Sequence, residues 1–269
     1  MEEMIRIEQV SYRRGDNEPL KKMNWTVNKG EHWAILGLNG SGKTTLLNVI
    51  NGYIWPTKGS VSVLGHAFGT IDLRELRKMI GWVSSSLQEK LYASDKAEYI
   101  VASGKFATIG LYEEPSESDW ELAYSFMEQL GCSHLKGRTF QTCSQGEKQK
   151  LLIARALMAK PKLLILDEPC NGLDLFSRER LLESIDRLAK SGDAPTIFYV
   201  THHTEEILPI FRHALLLRRG EVFLQGKVQD VLTSGQLTDF FETPVEVIPR
   251  DERIWVLPAS ANDERSPSN

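Results

Sequence analysis

The chain has no run of apolar residues long enough to cross a membrane. A helical span needs roughly 18 in succession, whereas apolar runs such as Leu163–Leu166 are four residues long and bounded by charge. Runs of that length suit buried parallel strands instead. Cysteine is scarce too: Cys132, Cys143 and Cys170 lie far apart with no CxxC pair, so no disulfide framework is indicated and a reducing compartment fits. An excess of basic charge is also missing. With 32 Lys and Arg against 36 Asp and Glu, the formal net charge is −4, which leaves no basic footprint and gives no reason to expect direct contact with nucleic acid. The opening MEEMIRIEQV lacks the basic-then-apolar pattern of a secretory signal. What remains is ordinary: 269 residues, 41% hydrophobic and 25% charged, enough for one large soluble domain or two small ones.

Short apolar runs at Met4–Gln9, His32–Leu36, Met79–Val83, Leu163–Leu166 and Thr196–Thr201 alternate with helix-like stretches. That alternation predicts an α/β fold with a largely parallel sheet. Ile5–Tyr12 and Leu20–Val27 flank the turn-rich RRGDNEP, so an antiparallel β element is expected ahead of the core. From about residue 87 to 142 the strand signal vanishes, and a helical insertion is expected there. Within it, SDWELAYSFMEQLG reads as a helix with Ser118 as N-cap and Gly131 just past its end. The main domain is taken as residues 1–242. The proline- and charge-rich residues 243–269, ending ASANDERSPSN, are expected to be a disordered tail.

Gly37-Leu38-Asn39-Gly40-Ser41-Gly42-Lys43-Thr44 matches GxxxxGK[ST]. It follows the apolar run His32–Leu36 and leads into the helix-like TTLLNVI, the context this pattern requires. Glycines permit a tight loop whose N–H groups face phosphate oxygens, and the helix start adds its positive dipole end. Thr45 lies in that first turn. Lys43 can reach the β- and γ-phosphates, and the Thr44 hydroxyl can ligate Mg²⁺. Further along, LLILD-Glu168 is an apolar strand ending in two carboxylates. Ligands collect at the carboxyl ends of strands in such sheets, where adjacent side chains diverge and can divide their tasks. Asp167 suits the Mg²⁺ shell, and Glu168 suits activation of a water. A strand-end acid pair with no function is the competing reading for such a dipeptide taken alone.

Four further segments resemble the ABC ATPase family, over roughly residues 4–232. Cys143-Ser144-Gln145-Gly146-Glu147 is similar to the family signature LSGGQ, with the serine and the fourth-position glycine intact and the leading leucine replaced. As a bare pentapeptide it would be an N-cap with Glu147 closing a capping box. Asn171-Gly172-Leu173-Asp174 resembles the D-loop, and His202 in YVTHH resembles the switch histidine, with His203 as competitor. Tyr12 resembles the aromatic on which adenine stacks, with Trp25 as an alternative. One position departs: where the family carries a glutamine after the strand ending at Val83, this chain reads Ser84-Ser85-Ser86-Leu87-Gln88, leaving Ser85 and Gln88 as alternative Mg²⁺ ligands.

The resemblance implies a P-loop NTPase core that binds ATP with Mg²⁺ and hydrolyses it. It implies a dimer in which Ser144, Gly146, Glu147 and Asp174 of one copy complete the nucleotide site of the other. It also implies membrane-spanning permease partners docked on the helical insertion, and a peripheral position at the inner face of the cell membrane. The serine-rich loop and VTHHTEEI are similar to a subset of the family linked to molybdate or other metal oxyanions. The competing function is a soluble ABC ATPase acting on ribosomes, nucleic acid or protein assembly, but such members carry two nucleotide domains or long coiled-coil insertions. A GTPase is disfavoured because no NKxD motif follows the loop; Asn28-Lys29-Gly30-Glu31 precedes it and lacks the Asp.

Overall fold

The computed structural model describes residues 2–259. The chain opens with two long strands, β1 (Glu3–Arg14) and β2 (Asn17–Asn28), joined by a turn at Gly15, whose φ of 60° suits a residue without a side chain. They pair antiparallel, Tyr12 facing Leu20 and Arg14 facing Asn17. After β3 (Trp33–Gly37) and α1 (Lys43–Ile50), the chain adds β4 (Lys58–Val63) and β5 (His66–Ala67), giving a four-stranded sheet in the order β2-β1-β4-β5.

Helix α2 (Leu73–Lys78) leads to β6 (Ile80–Val83), and no named strand follows until residue 163. This interval holds α3 (Ser85–Lys90), α4 (Ala97–Ser103), α5 (Glu117–Gln129) and α6 (Gln145–Leu157). Helix α5 begins one cap earlier than expected. Ser116, not Ser118, accepts from the Asp119 N–H while the Asp119 carboxylate accepts from Ser116 N–H. This reciprocal pairing satisfies two N–H groups at the helix start. Gly131 has φ 66°, as a residue just past a helix end commonly does.

The second half runs β7 (Leu163–Asp167), α7 (Leu175–Ala189), β8 (Thr196–Thr201), β9 (His213–Arg218), β10 (Glu221–Lys227), α8 (Val228–Val231) and α9 (Ser234–Phe241). The central sheet has the order β10-β9-β3-β8-β7-β6, parallel throughout except for β10. Strand alternation feeds two cores. Trp33, Ile35, Leu163, Ile165, Phe198 and Val200 face α1 and the antiparallel sheet. Ala34, Leu36, Leu164, Leu166, Ile197 and Tyr199 face the helical side. Burial on both faces is why these strands read as unbroken apolar runs.

The expected disordered tail is corrected over most of its length. Val245–Arg250 (β11) and Arg253–Pro258 (β12) form a hairpin, Val247 opposite Val256. Val245, Val247, Ile254 and Val256 pack on the helical-side core, and Arg253 pairs with Glu179 of α7 at 2.7 Å. Apolar burial along the face that carries Val245, Val247, Ile254 and Val256 outweighs the prolines and charges of the segment. The end of ASANDERSPSN, residues 260–269, lies outside the described residues.

Candidate nucleotide site

Three adjacent parallel strands, β3, β8 and β7, deliver their carboxyl ends to one edge of the sheet, the usual place for a ligand crevice in such folds. A cleft of about 740 Å³ opens there.

From β3 comes the glycine-rich turn. Asn39, Gly40, Ser41, Gly42, Lys43, Thr44 and Thr45 all line the cleft. Gly37 lies beneath it, its carbonyl accepting from Lys43 Nζ at 2.6 Å. Gly42 caps α1 with φ 106°, and a Cβ there would stand 2.7 Å from the Pro19 carbonyl oxygen. Only glycine fits. Helix α1 has neither a side-chain cap nor an acid in its first turn, so its leading N–H groups are free for an anion. Ser41 Oγ is buried within the turn without a hydrogen-bond partner. An orphaned buried donor beside a lysine in a glycine cradle fits a phosphate oxygen.

From β7 come the carboxylates. Glu168 sits in the left-handed region at φ 50°, its N–H held by the Val200 carbonyl at 2.9 Å and its carbonyl accepting from Asn171 N–H at 3.1 Å. Such a backbone costs on the order of 1–3 kcal/mol and persists where surroundings enforce it. Glu168 Oε1 lies 3.6 Å from Lys43 Nζ. Burial, reinforced by the neighbouring Glu168 charge and opposed by Lys43, pushes the Asp167 carboxyl up to about 6.

From β8 comes His202, whose Nδ1 is 3.4 Å from Glu168 Oε1. His203 stacks on His202 with ring centroids 4.2 Å apart and turns its own Nδ1 to Glu205 at 3.4 Å. Geometry therefore separates the two histidines in favour of His202.

The other candidates fall in different places. Ser85, the first residue of α3, lines the cleft. Gln88, nearly a turn further on, is spent on α6: it exchanges hydrogen bonds with Gln145 at 3.1 and 3.0 Å and accepts from Gln149 at 3.2 Å. Between those two alternatives, Ser85 is the one at the cleft. Tyr12 is half-buried on β1 opposite Leu20 and is not among the cleft residues. The alternative stacking residue Trp25 is corrected outright, because it is 1% exposed and packed between Trp33 and Phe198.

Ser144 and Gly146 do not line this chain's own cleft. Ser144 caps α6, accepting from Glu147 N–H at 3.3 Å while its own N–H donates to Glu147 Oε2 at 2.7 Å. Glu147 is further engaged by His134 at 3.1 Å and Arg138 at 3.4 Å. Asp174 caps α7, accepting from Phe176 and Ser177 N–H, both at 3.0 Å. Local caps thus occupy the carboxylates of Glu147 and Asp174. Sequence reasoning missed Asn17, Pro19 and Gln149 as cleft residues; the two former come from the hairpin and carry no motif of their own.

The family model described as ABC transporter matches residues 20–171. The ABC transporter ATP-binding protein YlmA of Bacillus subtilis (strain 168) is 50% identical over 257 residues, 95% of this chain and 97% of that protein. The molybdate import ATP-binding protein MolC of Haemophilus influenzae (strain ATCC 51907 / DSM 11121 / KW20 / Rd) is 31% identical, over 87% of this chain and 86% of MolC. Among solved structures, the ATP-binding cassette MJ0796, a dimer in a post-hydrolysis state bound to ADP and Pi, superposes with TM-score 0.70. It has 26% identity, over 84% of this chain and 99% of that one. The chain belongs to the ABC transporter ATP-binding family. It is an ATP-binding and ATP-hydrolysing subunit that dimerises and works with membrane permease subunits. Among the described residues no helix is long and apolar enough to cross a membrane.

Proposed function

We propose that the chain hydrolyses ATP by gripping its triphosphate between the Gly37–Thr45 turn and the carboxylates of β7, with Glu168 as general base. The observation that carries this reading is the convergence of Lys43 and His202 on one Glu168 oxygen, at 3.6 and 3.4 Å. Lys43 and the free N–H groups of α1 bind and orient the phosphates. Glu168 accepts the proton of the attacking water, and His202 holds that water and the γ-phosphate in line. Thr44, Asp167 and Ser85 present hard oxygen donors, the set suited to Mg²⁺. These residues would hold the ion, which when bound neutralises charge on the β- and γ-oxygens. Tyr12 stacks on the adenine. Ser144 and Gly146 of a second copy close the site over the γ-phosphate, so ATP favours a closed dimer and ADP does not. The subunit docks on its permease from the inner face of the membrane, and residues 2–259 act as one nucleotide-binding unit.

Glu168→Gln tests this reading. ATP binding should persist while hydrolysis falls by about 10²–10⁴-fold, and gel filtration with ATP and Mg²⁺ should trap a dimer. A variant that stays monomeric sinks the shared site, and one that hydrolyses normally removes Glu168 as the base.

A further inference from the structure

Below the hydrolytic pair lies a second set of polar side chains that the proposed mechanism leaves unused. Tyr199 and Thr201 project from β8 to the helical side and meet Glu206, which is 3% exposed. The Tyr199 hydroxyl donates to Glu206 Oε2 at 3.0 Å, and the Thr201 hydroxyl donates to the same oxygen at 2.7 Å. Cys170 Sγ lies 3.3 Å from the Tyr199 oxygen. One hydroxyl carries one proton; with the Tyr199 O–H directed at Glu206, the thiol is left to donate back to the Tyr199 oxygen. Burial pushes the Cys170 thiol up to about 12, which keeps its proton in place. Among the described residues Glu206 has no cationic partner, and a buried carboxylate held only by hydroxyls is costly to keep.

What the cluster does follows from the hydrogen bonds around His202. The turn Thr204–Glu206 folds the chain back, Glu206 N–H donating to the His203 carbonyl at 3.3 Å. Thr201 Oγ1, besides donating to Glu206, accepts from His203 N–H at 3.0 Å. The residues on either side of His202 are therefore tied to one hydroxyl, and that hydroxyl is tied to Glu206. Alternation along β8 sends Tyr199 and Thr201 to one face, which leaves His202 on the other. Fixing both neighbours fixes the backbone dihedrals that aim the imidazole. Cys170 extends the same cluster to the segment two residues past Glu168, so both members of the 3.4 Å pair rest on it.

We infer that Glu206, acting through Thr201 and Tyr199, is a positioning residue that sets the orientation of His202 against Glu168. It is buried and does not line the cleft, and the inference rests on the roles proposed above for Glu168 and His202. A satisfied core cluster without this role would affect stability alone. A 1 Å misplacement of a reacting group costs about 10²-fold in rate, so the effect belongs in kcat rather than in binding.

The test is steady-state ATP hydrolysis with fluorescent-nucleotide binding on the full chain, with folding checked by thermal melting. Thr201→Val should lower kcat by about 10- to 100-fold, with KM and nucleotide affinity within about twofold of the parent. Thr201→Ser, which restores the hydroxyl, should return most of the lost rate. Tyr199→Phe leaves Thr201 in place and removes one donor to Glu206, so it should lower kcat by about three- to tenfold. Wild-type kcat in Thr201→Val, a serine variant as slow as the valine, or a raised KM at unchanged kcat would each overturn the inference. If Thr201→Val does not fold, wild-type kcat in Tyr199→Phe overturns it instead. Glu168→Gln run alongside separates the two levels: normal hydrolysis there removes the underlying reading, whereas its loss beside an unaffected Thr201→Val removes only this one.

Discussion

The two helix starts to which we assign phosphate contacts are built in opposite ways. Helix α1 begins at Gly42 with no side-chain cap and no acid in its first turn. Helix α6 begins at Ser144 with a complete capping box closed by Glu147. Carboxylates near the two ends behave accordingly. Asp167, in the cleft that α1 opens into, is pushed up to about 6 mainly by burial. Glu147 is lowered despite its burial, because Ser144, His134 and Arg138 supply hydrogen bonds and positive charge. The first start has unmet hydrogen-bonding capacity and is preformed for an anion. The second is already satisfied by its own chain, so in the dimer we propose a phosphate arriving from the partner shares Ser144 with Glu147. Tight capture at one end and conditional capture at the other is what a site assembled only on dimer closure requires.

Three substitutions break or sharpen that contrast. Lys43→Ala should cost the most. Losing a charged hydrogen-bond donor at the α1 end should weaken ATP binding by about 100-fold in an equilibrium titration, and unchanged affinity would dissolve the contrast. Asp167→Asn comes next. The Asp167 carboxyl holds its proton to about pH 6 in the fold and only to about its ordinary 3.8 when unfolded. The folded state thus binds the extra proton between those values, and this group subtracts stability as pH rises through that window, levelling off above it. Metal- and nucleotide-free Asp167→Asn should be more stable than the parent by on the order of 2 kcal/mol at pH 7, with the gap closing towards pH 4. Equal melting temperatures across that range would contradict it. Ser144→Ala should have the smallest effect on the isolated chain, about 1 kcal/mol for a lost cap, seen as a fall of roughly 2–4 °C in melting temperature. Its nucleotide affinity as a monomer should be unchanged while dimer-dependent hydrolysis drops. A matching loss of affinity would place Ser144 in its own chain's cleft.

Much of the site was legible because its parts are short and local. The glycine turn, the acids ending β7 and the histidine ending β8 each sit within a few residues of an apolar strand, and a parallel sheet brings such strand ends together. What escaped depends on packing between distant segments. Ser85 and Gln88 are separated by nearly one helical turn, and only the position of α6 shows that Gln88 is drawn away by Gln145 and Gln149. Trp25 looked as available as Tyr12 until the first core buried it. Pro19 becomes a cleft residue because its carbonyl approaches Gly42, a contact between two segments that carry separate sequence signals. The start of α5 hinged on which of two serines could pair reciprocally with Asp119. In the C-terminal stretch, the alternating Val245-Glu246-Val247 and the apolar run Ile254–Leu257 are themselves strand signals, outweighed in the sequence by the prolines and charges around them.

That C-terminal ribbon has a consequence for where this protein can be cut. Strand β12 packs against the turn Thr204–Glu206 and lends no residue to the cleft. A chain ended after α9 would keep every recognisable motif, yet it would lose the strand behind the turn Thr204–Glu206 and bare to water the core surface that Val247, Ile254 and Val256 cover. The packed part of the fold therefore extends well past its final signature, to a hairpin that contributes no residue to the cleft.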